Sequence, residues 1–83
     1  GKLSFWKEKD LKFIYAPVGG MIEYLVKPGE IMVKDQLIGK IMTGKKSVSV
    51  KSPWPAKVCY LDTNLAVDTG QRIGALLINL KMG

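Results

Sequence analysis

The feature that most constrains this chain is an internal repeat. Ala16-Pro17-Val18-Gly19-Gly20-Met21-Ile22 is echoed 36 residues later by Ser52-Pro53-Trp54-Pro55-Ala56-Lys57-Val58. Met32-Val33-Lys34-Asp35-Gln36-Leu37-Ile38 is echoed 35 residues later by Val67-Asp68-Thr69-Gly70-Gln71-Arg72-Ile73. Gly29 then falls opposite Asn64, and both residue types tolerate the left-handed backbone of a tight turn. The change of offset by one residue implies a deletion between the two anchors. A chain of 83 residues makes one domain. Each half is too small to bury its apolar face alone, so the halves are expected to pack on each other about a pseudo-two-fold axis.

Within each half, Gly and Pro punctuate short runs rich in β-branched and aromatic residues, over 12–16, 21–26, 37–43, 47–51, 56–61 and 72–80. Regular short strands between turn signals predict an all-β sandwich or barrel. Ser47-Val48-Ser49-Val50-Lys51 alternates cleanly, with the valines on one face. No window combines a helical period with cap signals, so little or no helix is expected. The predicted interior is Ile14, Ile22, Val26, Ile38, Ile41, Val48, Val50, Val58, Leu61, Val67, Ile73 and Leu76. Residues 1–11 are expected to form a loosely ordered N-terminal segment of the same single domain, 1–83. Trp54, between two prolines, is expected to plug one end of the structure, where an indole buries apolar area and keeps its N–H at the surface.

Composition removes several function classes. With no histidine and a single cysteine, Cys59, a transition-metal site is not expected and an internal disulfide is excluded. Cys59 reads as a small buried filler rather than a reactive thiol. The acids Glu8, Asp10, Glu23, Glu30, Asp35, Asp62 and Asp68 form no recognisable general acid–base pair, so intrinsic catalysis is not expected. Gly39-Lys40-Ile41-Met42-Thr43-Gly44-Lys45-Lys46 nearly spells a phosphate-binding loop. It fails because Lys46 holds the Ser/Thr position and an alternating strand follows where a helix must start. The longest apolar run, Ala75-Leu76-Leu77-Ile78, is far short of the ~20 residues of a membrane helix. No signal peptide is evident, and a soluble, cytoplasmic setting is favoured. The net charge of +6 suggests attraction to something anionic without naming it.

Each half resembles the biotinyl/lipoyl-attachment pattern, in which a small residue and Pro precede Gly-x-apolar, Gly-Asp/Glu, an apolar residue and Gly-Gln-x-Leu. The first half supplies Ala16-Pro17, Gly20-Met21-Ile22, Gly29-Glu30, Met32, Asp35-Gln36 and Ile38. The second supplies Ser52-Pro53, Ala56-Lys57-Val58, Val67, Gly70-Gln71 and Ile73. The resemblance implies a barrel-sandwich hybrid, a flattened β-barrel of two roughly four-stranded sheets, with a modified lysine at the tip of the hairpin linking the halves. Lys45 lands on that lysine position, flanked by Thr43, Gly44 and Lys46. Met42 and Gly44 stand where the lipoyl pattern carries acids, the biotin signature Met-Lys-Met is absent, and Ala56 replaces the second-half glycine.

The leading expectation is a non-catalytic swinging-arm carrier with lipoate, or less readily biotin, attached at Lys45, if any cofactor is attached at all. The tether raises effective concentration and the cofactor does the chemistry. Its partners would be a lipoate or biotin ligase and the subunits of a parent multienzyme complex. One alternative is an unmodified lipoyl-like adaptor resembling modules of membrane-fusion proteins, with secretion or efflux components as partners. In those proteins a long helical hairpin separates the halves, whereas here only residues 42–47 do. The other alternative, less favoured, is a nucleic-acid-binding small barrel that uses the cations with Phe5, Trp6, Phe13, Tyr15, Tyr24, Trp54 and Tyr60.

Overall fold

The apolar runs become strands and the Gly/Pro punctuation becomes the turns between them. The computed structural model describes residues 11–78. In chain order the strands are β1 (Leu11–Tyr15), β2 (Gly20–Tyr24), β3 (Ile31–Met32), β4 (Leu37–Thr43), β5 (Lys46–Lys51), β6 (Ala56–Leu61), β7 (Ala66–Val67) and β8 (Arg72–Ile78). No helix occurs among the described residues. The loosely ordered segment expected over 1–11 lies outside the described residues except for Leu11, which opens β1.

The strands form two four-stranded sheets, ordered β1-β8-β6-β3 and β5-β4-β2-β7. Every pairing is antiparallel. Advance each strand of the first sheet by four places along the chain, cyclically, and the order of the second sheet results. Each sheet therefore takes two strands from before the β4–β5 turn and two from after it. The all-β expectation with two four-stranded sheets holds, and the flattened barrel is not closed, because no ladder joins one sheet to the other among the described residues. They form an open two-sheet arrangement around one core that draws Ile14, Val58, Ile73 and Leu76 from one sheet and Ile22, Ile38, Ile41 and Val50 from the other.

The predicted interior is buried except at two positions. Val48 is half-buried on edge strand β5, closer to the hairpin turn than buried Val50, and Leu61 is half-buried at the end of β6, packed against the core rather than within it. Ala16, Met32, Ala56 and Ile78 join the core in addition. The small residue before each proline has a physical role here, since Ala16 and Ser52 are both buried. Ala16 N–H donates to Gln71 O at 2.8 Å while its carbonyl accepts from Gly70 N–H at 2.7 Å. Ser52 does the same with Gln36 O at 2.9 Å and Asp35 N–H at 2.7 Å. A large side chain at either position would fill core volume beside these bonds.

The two Gln residues close matching turns. Gln36 N–H donates to Val33 O at 3.2 Å and Val33 N–H returns a bond to Gln36 Oε1 at 3.1 Å. Gln71 and Asp68 make the same pair of bonds at 3.0 and 2.9 Å. The third residue of each turn has positive φ, +68° at Asp35 and +81° at Gly70. The equivalence of Gly29 and Asn64 fails. Gly29 adopts φ +93°, as Pro-Gly at the centre of a type II turn requires. Asn64 keeps negative φ and works through its side chain, with Oδ1 accepting from Ala66 N–H at 3.1 Å.

Candidate functional site

β4 and β5 pair from Leu37↔Lys51 to Thr43↔Lys46, which leaves Gly44 and Lys45 as a two-residue turn. Gly44 has φ +62° and Lys45 stays on the negative side. That combination matches the primed hairpin turn with glycine at the first central position, whose twist suits the flanking strands. Gly44 is needed for its backbone angle and not for space, since an added Cβ would meet nothing within 4 Å. Thr43 is half-buried, and Gly44, Lys45 and Lys46 are exposed. Lys45 thus stands at the solvent-facing apex of the segment joining the two halves. Residues 37–51 carry Lys40, Lys45, Lys46 and Lys51 and no carboxylate, so the apex is cationic.

The hairpin is held at its base by close backbone approach. A Cβ on Gly20 would overlap the Met42 carbonyl oxygen and lie 2.9 Å from its carbonyl carbon, and one on Gly39 would lie 2.5 Å from Glu23 O. β2 can therefore lie tightly along β4 only with glycine at these points. Ile41 and Ile38, fully buried, anchor the inner face of β4.

The aromatic residues separate into two groups. Tyr24 and Trp54 pack against the core. Trp54 is half-buried, as expected of a plug, and its carbonyl accepts from Ser52 Oγ at 2.6 Å. Tyr24 OH donates to Ile73 O at 3.3 Å. Burial, and secondarily the nearby Asp62 charge, raise its phenol above the usual 10.0. Phe13, Tyr15 and Tyr60 are instead exposed, and the Arg72 guanidinium sits 4.5 Å from the centre of the Phe13 ring. Phe5 and Trp6 lie outside the described residues. Cys59 is half-buried beside the irregularity between Val58 and Tyr60, not sealed in the core as expected. Burial raises its thiol above the usual 9.0, against a smaller opposing pull from Lys57.

The sequence reading missed the outer face of the β1-β8-β6-β3 sheet. Cross-strand register places Ile31, Lys57, Leu77 and Leu11 in one row over that face. Tyr60, Ala75 and Phe13 form the next, and Arg72 with Tyr15 the last. Tyr60 reaches this face because of the irregularity after Val58, which a strict two-residue alternation does not reveal.

No protein-family model matches the chain, and no curated protein does. Solved structures do. A protein of the succinylglutamate desuccinylase/aspartoacylase family from Shewanella amazonensis SB2B superposes with a TM-score of 0.80 at 20% identity, over 87% of this chain and 21% of that one. A succinylglutamate desuccinylase/aspartoacylase from Shewanella frigidimarina NCIMB 400 does so with a TM-score of 0.78 at 21% identity, over 86% and 21%. At these identities the likeness is one of fold. The chain spans about a fifth of the length of either neighbour.

Proposed function

We propose that this chain is a non-catalytic module of a longer protein, and that the protein it serves is a hydrolase of acylated amino acids such as succinylglutamate or acylaspartate. The observation that carries this reading is the match of fold to about a fifth of two longer chains bearing those descriptions. The chain has no histidine, and among the described residues no group of three or more His, Cys, Asp or Glu is placed to hold a metal. Bond cleavage would then be the work of the remainder. We read the module as a barrel-sandwich hybrid with two pseudo-two-fold-related halves, supported by the matching strand orders and the paired Gln turns. The test is hydrolysis of succinylglutamate and acetylaspartate by the natural protein containing this chain, beside the 83 residues alone. Activity in the former and none in the latter is expected. An inactive intact protein, or an active 83-residue chain, overturns the reading.

A second reading, favoured by the exposed Lys45 at the hairpin apex, makes the module a carrier in which the Lys45 amine forms an amide with lipoate or biotin. Acylation would remove one positive charge and add a defined mass. Intact mass after co-expression with a lipoate or biotin ligase checks it. An unchanged mass, or the same gain in Lys45→Arg, rules out attachment there.

A further inference from the structure

We infer that the outer face of the β1-β8-β6-β3 sheet is the surface by which this module docks on the rest of its parent protein, against an apolar patch edged with carboxylates. The inference rests on the modular reading above, and it names the face and the chemistry of what covers it. Three rows make up the face: Ile31–Lys57–Leu77–Leu11, Tyr60–Ala75–Phe13 and Arg72–Tyr15. Ile31, Tyr15, Tyr60 and Phe13 are 55%, 53%, 43% and 39% exposed. Ala75 between Phe13 and Tyr60 is 1% exposed, yet it belongs to no part of the core cluster. The aromatic side chains beside it therefore lie over the sheet as a continuous apolar surface, of the kind that marks an interaction site.

The other sheet shows that folding does not require such a surface. Its corresponding rows are Ala66–Met21–Met42–Ser47 and Glu23–Lys40–Ser49. The second row is polar where its counterpart is aromatic, and Glu23 faces Lys40 across the ladder. The first row leaves Met21 and Met42 exposed, so the difference between the two outer faces lies in the second and third rows, where only the β1-β8-β6-β3 sheet carries Phe and Tyr.

Charge selects the occupant. The three rows hold two cations, Lys57 and Arg72, and no carboxylate. A second copy packed face to face would bring cation against cation in a water-poor interface, which is costly. A partner surface with Asp or Glu at its rim would satisfy both cations, and the matched neighbours are about four times as long as this chain, leaving ample protein to provide it.

Tyrosine nitration followed by peptide mass spectrometry tests this with no variant needed. In the 83-residue chain Tyr15 and Tyr60 should nitrate readily, while half-buried Tyr24 nitrates slowly. In the intact parent protein both exposed tyrosines should slow by at least about tenfold, with Tyr24 unchanged. Equal rates at Tyr15 and Tyr60 in the two proteins overturn the inference, whatever the hydrolase assay gives. Protection in the 83-residue chain that disappears on dilution identifies a second copy instead and also overturns it. So does protection there that is lost in a Phe5→Ser/Trp6→Ser variant, which would make the occupant the chain's own first residues. If protection is found in an intact protein with no hydrolase activity, the docking face stands and the choice of parent fails.

Discussion

Gly20→Ala and Ala56→Gly are mirror-image changes at corresponding positions of the repeat, and the structure assigns them very different costs. At position 20 an added methyl would overlap the Met42 carbonyl oxygen and lie 2.9 Å from its carbon and 3.0 Å from Ile41 Cγ2. Ordinary C···O contact begins at about 3.3 Å, so β2 and β4 would have to part by roughly an ångström at the Met21↔Met42 pair. That takes neighbouring ladder bonds beyond the ~3.2 Å limit of good geometry. Two such bonds at about 1 kcal/mol each, with about 1 kcal/mol for alanine at φ +154°, total roughly 3 kcal/mol. At position 56 the methyl is present and fully buried without strain. Removing it forfeits about 0.8 kcal/mol of burial and about 0.5–1 kcal/mol of backbone entropy, near 1.5 kcal/mol together. A chain of 83 residues has about a tenth of a kcal/mol of stability per residue, about 4–12 kcal/mol in all. Thermal unfolding of both variants resolves the difference. Gly20→Ala should lower the melting temperature by about 12 °C or more, and Ala56→Gly by about half that. The reasoning is refuted if Gly20→Ala proves the milder change.

Three further outcomes follow from the turns and from Tyr24. Gly44→Ala puts a side chain at φ +62° in open space, so it should cost about 1 kcal/mol, with hydrogen exchange speeding mainly in β4 and β5. Asp35→Gly removes a Cβ from positive φ where the counterpart turn already uses Gly70. It should raise stability by several tenths of a kcal/mol, measured by urea titration, and a loss would show that Asp35 supports the fold in some other way. Tyr24 keeps its proton longer in the folded chain than in the unfolded one. Its contribution is therefore whole below about pH 10 and is lost as pH rises through the folded value. Tyr24→Phe should flatten this alkaline decline. At neutral pH it should cost under about 1 kcal/mol, because Asp62 N–H also donates to Ile73 O at 2.8 Å.

The repeat made the strand-and-turn layout legible because its Gly and Pro residues are local turn signals, while the tasks of its other members emerge only from the coordinates. Ala16 and Ser52 fill a tight buried site, Gln36 and Gln71 tie their own turns, and Gly39 and Gly74 admit a neighbouring carbonyl. The hairpin apex was legible for the same reason, since Gly44-Lys45 between two alternating runs is a short-range turn signal. Features set by strand-to-strand geometry were not legible. Val48 and Val50 share a face of β5 yet only Val50 is sealed, a difference set by how far the opposite sheet reaches along the hairpin and not by the alternation itself. Barrel closure depends on the edges meeting, and no dipeptide records that. Asn64 has the composition of a left-handed position yet caps through its side chain, because both conformations use the same residue types.

Fold and function can be separated by comparing the two sheets, whose strand orders match. Where both carry the same residue type, the shared backbone accounts for it. Where they differ, one sheet shows what the fold tolerates, and the residue in the other must be explained differently or counted as drift. Ala56 opposite Gly20 falls to drift, since only position 20 meets a carbonyl. The position 35 residues after Lys45, Leu80, lies outside the described residues. Phe13 and Tyr60 have counterparts in the polar row of the other sheet, Ser49 and Glu23, which pair within a sheet of the same strand order at no evident disadvantage. Exposed aromatic rings on one sheet alone are therefore not a requirement of the architecture, and the docking face inferred above supplies a physical role for them.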